Sequence, residues 1–114
     1  MAYDEELARR IRELLAGEAD VTETRMFGGL AFLVRGNMAV GASGQGGLMV
    51  RVDRADTDTL VETTDARPME MRGRPMQGWL RVDAEHVETE SRLAEWVERG
   101  TAAARALPAK QPRP

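Results

Sequence analysis

The stretch RMFGGLAFLVRGNMAVG, residues 25–41, decides the fold, because it carries two apolar runs joined by Gly36 and Asn37. A two-residue connection that contains glycine is a strong hairpin signal, since primed turns need positive φ values. The expected hairpin places Arg35 opposite Met38. We therefore interpret these glycines as turn residues of a β-sheet and not as a cradle for a ligand.

Gly28-Gly29, earlier in the same stretch, allows two readings. A second turn there would pair the polar run TETR, residues 22–25, with the apolar run LAFL, residues 30–33. A bend or bulge would instead leave one long strand over residues 22–35, and we favour this reading because glycine within a strand marks such irregularities.

Three further runs alternate or cluster as strands do. They are LMVRVD from residue 48, RPMEMRG from residue 67 and GWLRVD from residue 78. Leu48 and Val50 alternate with Met49 and Arg51, as a half-buried strand requires. The loop before residue 48, SGQGG, joins strand to strand and lacks the lysine of a P-loop. The sequence thus predicts five strands and no nucleotide site.

Three helices complete the expected fold. The apolar stripe of the first consists of Tyr3, Leu7, Ile11, Leu14 and Leu15, at helical spacing. Asp4 is its expected N-cap, Asp53 the cap of a short helix over about residues 54–62, and Thr89 the cap of a last helix over about residues 90–107. The predicted class is a two-layer α+β sandwich of order α-β-β-β-α-β-β-α, with helices on a mainly antiparallel sheet.

Composition restricts the function. The chain has 114 residues, no cysteine and a net charge of −3. We expect one domain over residues 1–107 and a mobile tail over residues 108–114. The absent cysteines exclude disulfides, thiolate nucleophiles and Cys-ligated metals, and the charge argues against direct nucleic-acid binding. With no long apolar run, no membrane association is expected, and we expect a cytoplasmic protein.

No catalytic, cofactor-binding or metal-ligating motif is apparent. His86 is the only histidine and lies in a polar segment without a nucleophile pattern beside it. Asp53, Asp56 and Asp58 lack the spacing of a calcium loop, and helix capping explains the first two. We therefore expect no cofactor and a protein that is not an enzyme.

The segment ARPMEMRGRPMQGW, residues 66–79, is the most unusual part of the chain. Methionines beside arginines and a tryptophan form the adaptable surface that partner-binding sites use. A plain strand pair, with methionines filling the core and arginines pointing outward, would explain the same residues. The candidate partner-binding residues are Arg67, Met69, Met71, Arg72, Arg74, Met76 and Trp79.

The phrases RMFGG, GNMAVG, GLMVRVD and PMEMRGRPMQGW together resemble the N-terminal domain of the TfoX/Sxy family, over most of the chain. The resemblance implies a two-layer fold like that of secretion chaperones, with three strands between the first two helices. It also implies a bacterial cytoplasmic protein, since the named members are competence regulators that are thought to act with the cyclic-AMP receptor protein at promoters. Those regulators carry a second, C-terminal domain, which we do not expect in this chain of 114 residues.

These observations favour a non-enzymatic protein-interaction module, with transcriptional co-regulation as the role that the resemblance implies. The expected partner is a protein of the transcription machinery or one of its regulators. The alternative is a small-molecule-binding protein or unrecognised enzyme with a pocket between sheet and helices. The base rate of symmetric oligomers leaves a homodimer open.

Overall fold

The computed structural model describes residues 3–26 and 28–109. The three helices within these residues are α1 (Glu5–Leu14), α2 (Thr57–Thr63) and α3 (Glu90–Arg105). The strands are β1 (Val21–Met26), β2 (Gly29–Val34), β3 (Asn37–Ala42), β4 (Leu48–Arg51), β5 (Arg67–Met71) and β6 (Arg74–Val82). The predicted α+β class is confirmed, with six strands in place of five and with four strands between the first two helices. None of the described helices has the length and apolarity to cross a bilayer.

The six strands form one antiparallel sheet in the order β1-β2-β3-β4-β6-β5. The helices pack on one side of it: α3 lies on β3 and β4, α1 on β3, and α2 on β6. We call this side the helix face and the opposite side the outer face. The two layers predicted from the sequence are therefore present, and the sheet has one side without a described helix.

The prediction of one long strand over residues 22–35 is wrong. The chain reverses at Gly28, so that Met26 lies opposite Gly29 and the polar run of residues 22–25 pairs with residues 30–33. A polar strand can occupy this position because β1 is at the edge of the sheet and its four central residues are exposed. The two readings differ in which strands pair, and no local sequence pattern encodes strand pairing.

The hairpin between β2 and β3 is confirmed, but its register differs from the expected one. Arg35 and Gly36 form the turn, with φ values of 54° and 84°, one residue earlier than expected. A bulge at Ala39 of β3 then brings Phe32 opposite Val40, whereas the expected pairing of Arg35 with Met38 would place Phe32 opposite Gly41. Two successive positive φ values give the turn that suits the strand twist, and the bulge brings Val40 onto the helix face together with Phe32.

The main core lies between the sheet and the helices. Its fully buried side chains include Ile11 from α1, Phe32 from β2, Leu80 from β6 and Leu93 from α3. Gly100 lets α3 approach the sheet closely, because a Cβ there would lie only 2.4 Å from a backbone oxygen of β3. Dense packing of this kind is the largest stabilising contribution in a domain of this size.

The helix starts agree with the predicted caps. The side chains of Asp4, Asp53 and Thr89 each accept a hydrogen bond from a nearby backbone N–H, at 3.1, 2.9 and 3.3 Å. Asp53 caps a single 3-10 turn that leads into α2. The predicted tail falls mostly on residues 110–114, which lie outside the described residues, so its mobility stays a prediction.

Candidate functional site

The outer face carries a second, smaller group of packed apolar side chains, which we call the outer cluster. Three of its members are buried, namely Ala31, Met38 and Met49, and four partly buried ones pack against them, namely Met26, Leu33, Met69 and Trp79. Each of the six strands contributes at least one member, and no residue of a described helix belongs to it. The sheet therefore has apolar packing on both sides but helices on one.

Alternation along the strands explains how this cluster forms. In β4, Leu48 and Val50 point into the main core, whereas Met49 and Arg51 point to the outer face. The register then places Arg51 directly opposite Trp79 of β6. β4 is apolar on both faces except at its last residue, Arg51, which is on the outer face. The strand therefore places a charge beside the outer cluster.

Arg51 is the most distinctive charged residue of the outer face. Its guanidinium carbon lies 4.2 Å from the centre of the Trp79 ring, in cation–π contact, and its Nε donates to the backbone oxygen of Met38 at 2.7 Å. Burial of the guanidinium lowers the pKa of Arg51. Among the described residues no carboxylate oxygen lies within 4.0 Å of it. This charge is partly desolvated and has no anionic partner within the described part of the chain.

A second arginine–tryptophan pair lies in the helix layer and behaves differently. Arg99 of α3 stacks on Trp96, with its guanidinium carbon 4.7 Å from the ring centre. Its NH2 group is also 3.1 Å from a carboxylate oxygen of Glu95, one helical turn earlier. The chain therefore supplies a carboxylate to the helix-layer pair that the outer pair does not have.

Beside the outer cluster, a cavity of about 600 Å³ opens between β5, β6 and the β3–β4 loop. Met49 and Met69 form its apolar floor, and Arg67 and Arg81 lie at its polar side. Arg81 donates to the side-chain oxygen of Gln45 at 2.7 Å and so ties the loop to the sheet. This cavity lies on the outer face and not between sheet and helices, where the pocket was expected.

The structure brings three of the predicted site residues together. Met69 and Trp79 belong to the outer cluster, and Arg67 lines the adjoining cavity. Arg67 also pairs with Asp83, with 2.6 Å between nitrogen and oxygen. The packed methionine and the outward arginine are what the strand-pair interpretation expects, and partner binding by these residues stays a prediction.

The other predicted residues lie apart from this group. Arg72 lies in the β5–β6 turn, with a φ value of 55°, Arg74 is the first residue of β6, and both are exposed. Met76 is partly buried in β6 and belongs to no apolar cluster of the described residues. The Met71 side chain is outside what the structure describes. The hairpin tip is therefore a rim of the outer face and not its centre.

Sequence reasoning missed four residues of this surface: Met38, Met49, Arg51 and Arg81. Met38, Met49 and Arg51 lie on strands distant in sequence from residues 66–79, which we call the Met/Arg segment, and strand pairing brings them together. Arg81 follows that segment within β6. The alternation in LMVR was the available signal, since it places Met49 and Arg51 on one side of a strand. The neighbouring strand, however, could not be inferred.

A polar cluster surrounds the only histidine. Nδ1 of His86 lies 3.4 Å from a carboxylate oxygen of Asp65, and the ligand atoms of Asp83, Glu85 and His86 lie within 4.8 Å of one another. All of these side chains are at least partly exposed. Exposed acidic groups at such distances are common without a metal, so the expectation that no metal binds here stays untested.

Comparison with known families gives one match. The family model for the TfoX N-terminal domain matches residues 13–104 of the 114-residue chain. This span holds all six strands, α2, nearly all of α3, and every member of the outer cluster. No curated protein matches the chain.

Proposed function

Because the chain belongs to the TfoX N-terminal domain family, we propose that it is a non-enzymatic protein-interaction module whose partner docks on the outer face. Its finer role would be that of a transcriptional co-regulator, and the partner would belong to the transcription machinery or regulate it. The side chains grouped on this face are methionines, a tryptophan and arginines, which are typical of binding interfaces more than of catalytic sites.

One observation carries this proposal: Arg51 stacks on Trp79 beside the outer cluster without a carboxylate within 4.0 Å among the described residues. A partly desolvated guanidinium gains most from a carboxylate that accepts a charge-assisted hydrogen bond from it. Arginine and tryptophan are also the residues in which binding energy concentrates at protein interfaces. A partner carboxylate above Arg51 would therefore contribute more than an ordinary surface ion pair.

Charge and shape define the partner further. The strand register places Arg51, Arg67 and Arg81 on the outer face, around the outer cluster. Among the described residues that line the cavity, Glu70 is the one with a carboxylate. A segment with both apolar and acidic side chains would complement this surface. A second copy placed face to face would oppose arginine with arginine, so self-association through this face is disfavoured. Methionines can adapt to the apolar side chains of such a segment.

The cavity favours a second candidate, a small anionic ligand. Its volume of about 600 Å³ is in the range of ligand pockets, and Arg67 and Arg81 could bind a carboxylate or phosphate there. Both guanidiniums already donate to groups of this chain, to Asp83 and to the β3–β4 loop. For this reason we place the protein partner first.

The proposal is tested by capture from a lysate of the organism that encodes the chain, followed by reconstitution with the purified partner. The bait is the wild-type protein, Arg51→Glu or the matched control Arg99→Glu, which reverses the same kind of charge on the other arginine–tryptophan pair. We expect one protein to be captured stoichiometrically by the wild type and by Arg99→Glu. Arg51→Glu should bind the purified partner at least about tenfold more weakly.

Two results would contradict the proposal. Equal binding by wild type and Arg51→Glu would show that the partner docks elsewhere. A thermal shift of the wild type by small carboxylates or phosphates that is lost in Arg81→Gln, together with no captured protein, would favour the ligand candidate. Circular dichroism of each variant checks that it is folded.

A further inference from the structure

The two edges of the sheet differ in their protection against further pairing. At one edge, β5 contains Pro68, which lacks a backbone N–H, and its register with β6 is broken by a bulge. Both features hinder the addition of a strand. At the other edge, β1 has no proline, pairs with β2 over all six residues without irregularity, and exposes its four central residues. Within the described residues no second strand pairs with β1.

The side chains of β1 divide between the two faces in a defined way. Glu23 lies opposite Phe32 and Arg25 opposite Leu30, and both of these partners point into the main core. Directly paired residues share a face, so Glu23 and Arg25 both lie on the helix face. The Glu23 carboxylate is fixed there by Arg12 of α1, whose Nε and NH2 donate to it at 2.6 and 2.8 Å.

Symmetry limits how β1 could pair with β1 of a second copy. A two-fold axis perpendicular to the sheet keeps like faces together and pairs the strands antiparallel around one central residue. An axis at Glu23 would place two glutamates opposite each other, and an axis at Arg25 would do the same with two arginines. Like charges directly opposite are destabilising. An axis at Thr24 pairs each Glu23 with Arg25 of the second copy.

We propose that this chain forms a symmetric homodimer through β1, with the two-fold axis at Thr24 and a continuous antiparallel sheet across both copies. The self-complementary pair Glu23 and Arg25 sets the register, and Thr24 lies opposite Thr24 of the second copy. At the ends of the pairing, Thr22 lies opposite Met26 of the second copy. The unpaired backbone N–H and C=O groups of the edge gain partners in this arrangement.

The dimer would place both outer faces on the same side of the extended sheet, because the axis is perpendicular to it. Two docking surfaces would then be available to a partner that is itself two-fold symmetric, and simultaneous engagement raises the apparent affinity. This consequence requires the proposed function, whereas the dimer itself does not.

The register is tested by disulfide trapping, since the chain has no cysteine. In the Thr24→Cys variant, the two cysteines lie directly opposite each other with their Cα atoms about 5 Å apart, within the range of a disulfide. Thr22→Cys is the matched control: it lies on the same face and is equally exposed, but about 14 Å along the strand separates it from its symmetry mate. Under mild oxidation we expect a covalent dimer from Thr24→Cys and a monomer from Thr22→Cys. Equal yields from both variants would overturn the register.

The charge pairing is tested by reciprocal variants in sedimentation equilibrium. Arg25→Glu and Glu23→Arg should each be monomeric, because each places like charges opposite each other. Their equimolar mixture should form a heterodimer, because both charge pairs are then restored. Arg74→Glu, a charge reversal at the β5–β6 turn, should remain dimeric. The dimer would be refuted if the wild type were monomeric at 100 times the concentration used for capture. It would also be refuted if both charge variants were folded but their mixture stayed monomeric.

Discussion

The two arginine–tryptophan pairs of this protein show how its two faces differ. Arg99 and Trp96, in the helix layer, have the carboxylate of Glu95 at 3.1 Å, so that the charge is compensated within one helix. Arg51 and Trp79, on the outer face, have the same stacking but no described carboxylate within 4.0 Å. The helix-layer arginine is thus compensated within its own helix, whereas the described residues supply no carboxylate to the outer one.

The largest effect on stability is expected for a substitution in the main core, on the helix face. Phe32→Ala should lower the free energy of unfolding by about 3–5 kcal/mol, because the fully buried ring fills the main core. Leu33→Ala, the next residue, points to the outer face and is partly exposed, so its cost should not exceed about 2 kcal/mol. Urea unfolding of both variants measures this difference. Equal losses would mean that the outer cluster stabilises the fold as much as the main core does.

A buried hydrogen bond between α2 and the sheet gives the next effect. The Thr57 hydroxyl accepts from the backbone N–H of Gly78 at 2.9 Å, and both residues are buried. Thr57→Val leaves this N–H without a partner and should cost about 1–3 kcal/mol. Thr59→Val, the same change at an exposed position of α2, serves as control and should change stability little. A neutral Thr57→Val would mean that water replaces the hydroxyl.

The rim of the outer face should affect the rate of binding more than its strength. Arg72 and Arg74 are exposed at the β5–β6 turn, where charges steer an acidic partner before contact. The double variant Arg72→Glu/Arg74→Glu should slow association with the purified partner by about tenfold at low salt, with little change in dissociation. Stopped-flow fluorescence at two salt concentrations measures both rates. If the double variant instead dissociates faster while its association rate is unchanged, the hairpin tip lies at the centre of the interface.

The smallest effect concerns pH. Hydrogen bonding by Arg12 lowers the pKa of Glu23 from its ordinary value of 4.5. A lowered pKa in the folded state means that the pair stabilises the protein above pH 4.5 and that this contribution is lost as the pH falls through the folded-state value. Glu23→Gln should therefore lower the free energy of unfolding at pH 7 by no more than about 1 kcal/mol, and this difference should shrink as the pH is lowered below 4.5. A pH-independent difference would contradict the ion pair.

The local features of the fold could be predicted from the sequence. Asp4 and Thr89 cap helices as expected, because a cap depends on a few neighbouring residues. The nonlocal features could not: the polar run of residues 22–25 forms a separate edge strand, and a bulge shifts the β2–β3 register. Strand partners depend on the whole sheet, and edge strands tolerate polar residues on both sides.

The candidate site shows the same division. The Met/Arg segment was identified from composition, and Met69 and Trp79 do lie in the outer cluster. Arg51, which completes the tryptophan pair, could not be assigned because it belongs to a strand separated by more than 20 residues. Sequence alone thus predicted a surface of methionines, arginines and a tryptophan, and it missed Arg51.

The central claim is that the partner docks on the outer face. The chain has two tryptophans, one on each side of the sheet, and each gives one indole N–H signal in a ¹H–¹⁵N spectrum. On titration with the purified partner, we expect the signal of Trp79 to shift or broaden while that of Trp96 stays unchanged. A shift of Trp96 alone, or no change in either signal at saturation, would contradict the account.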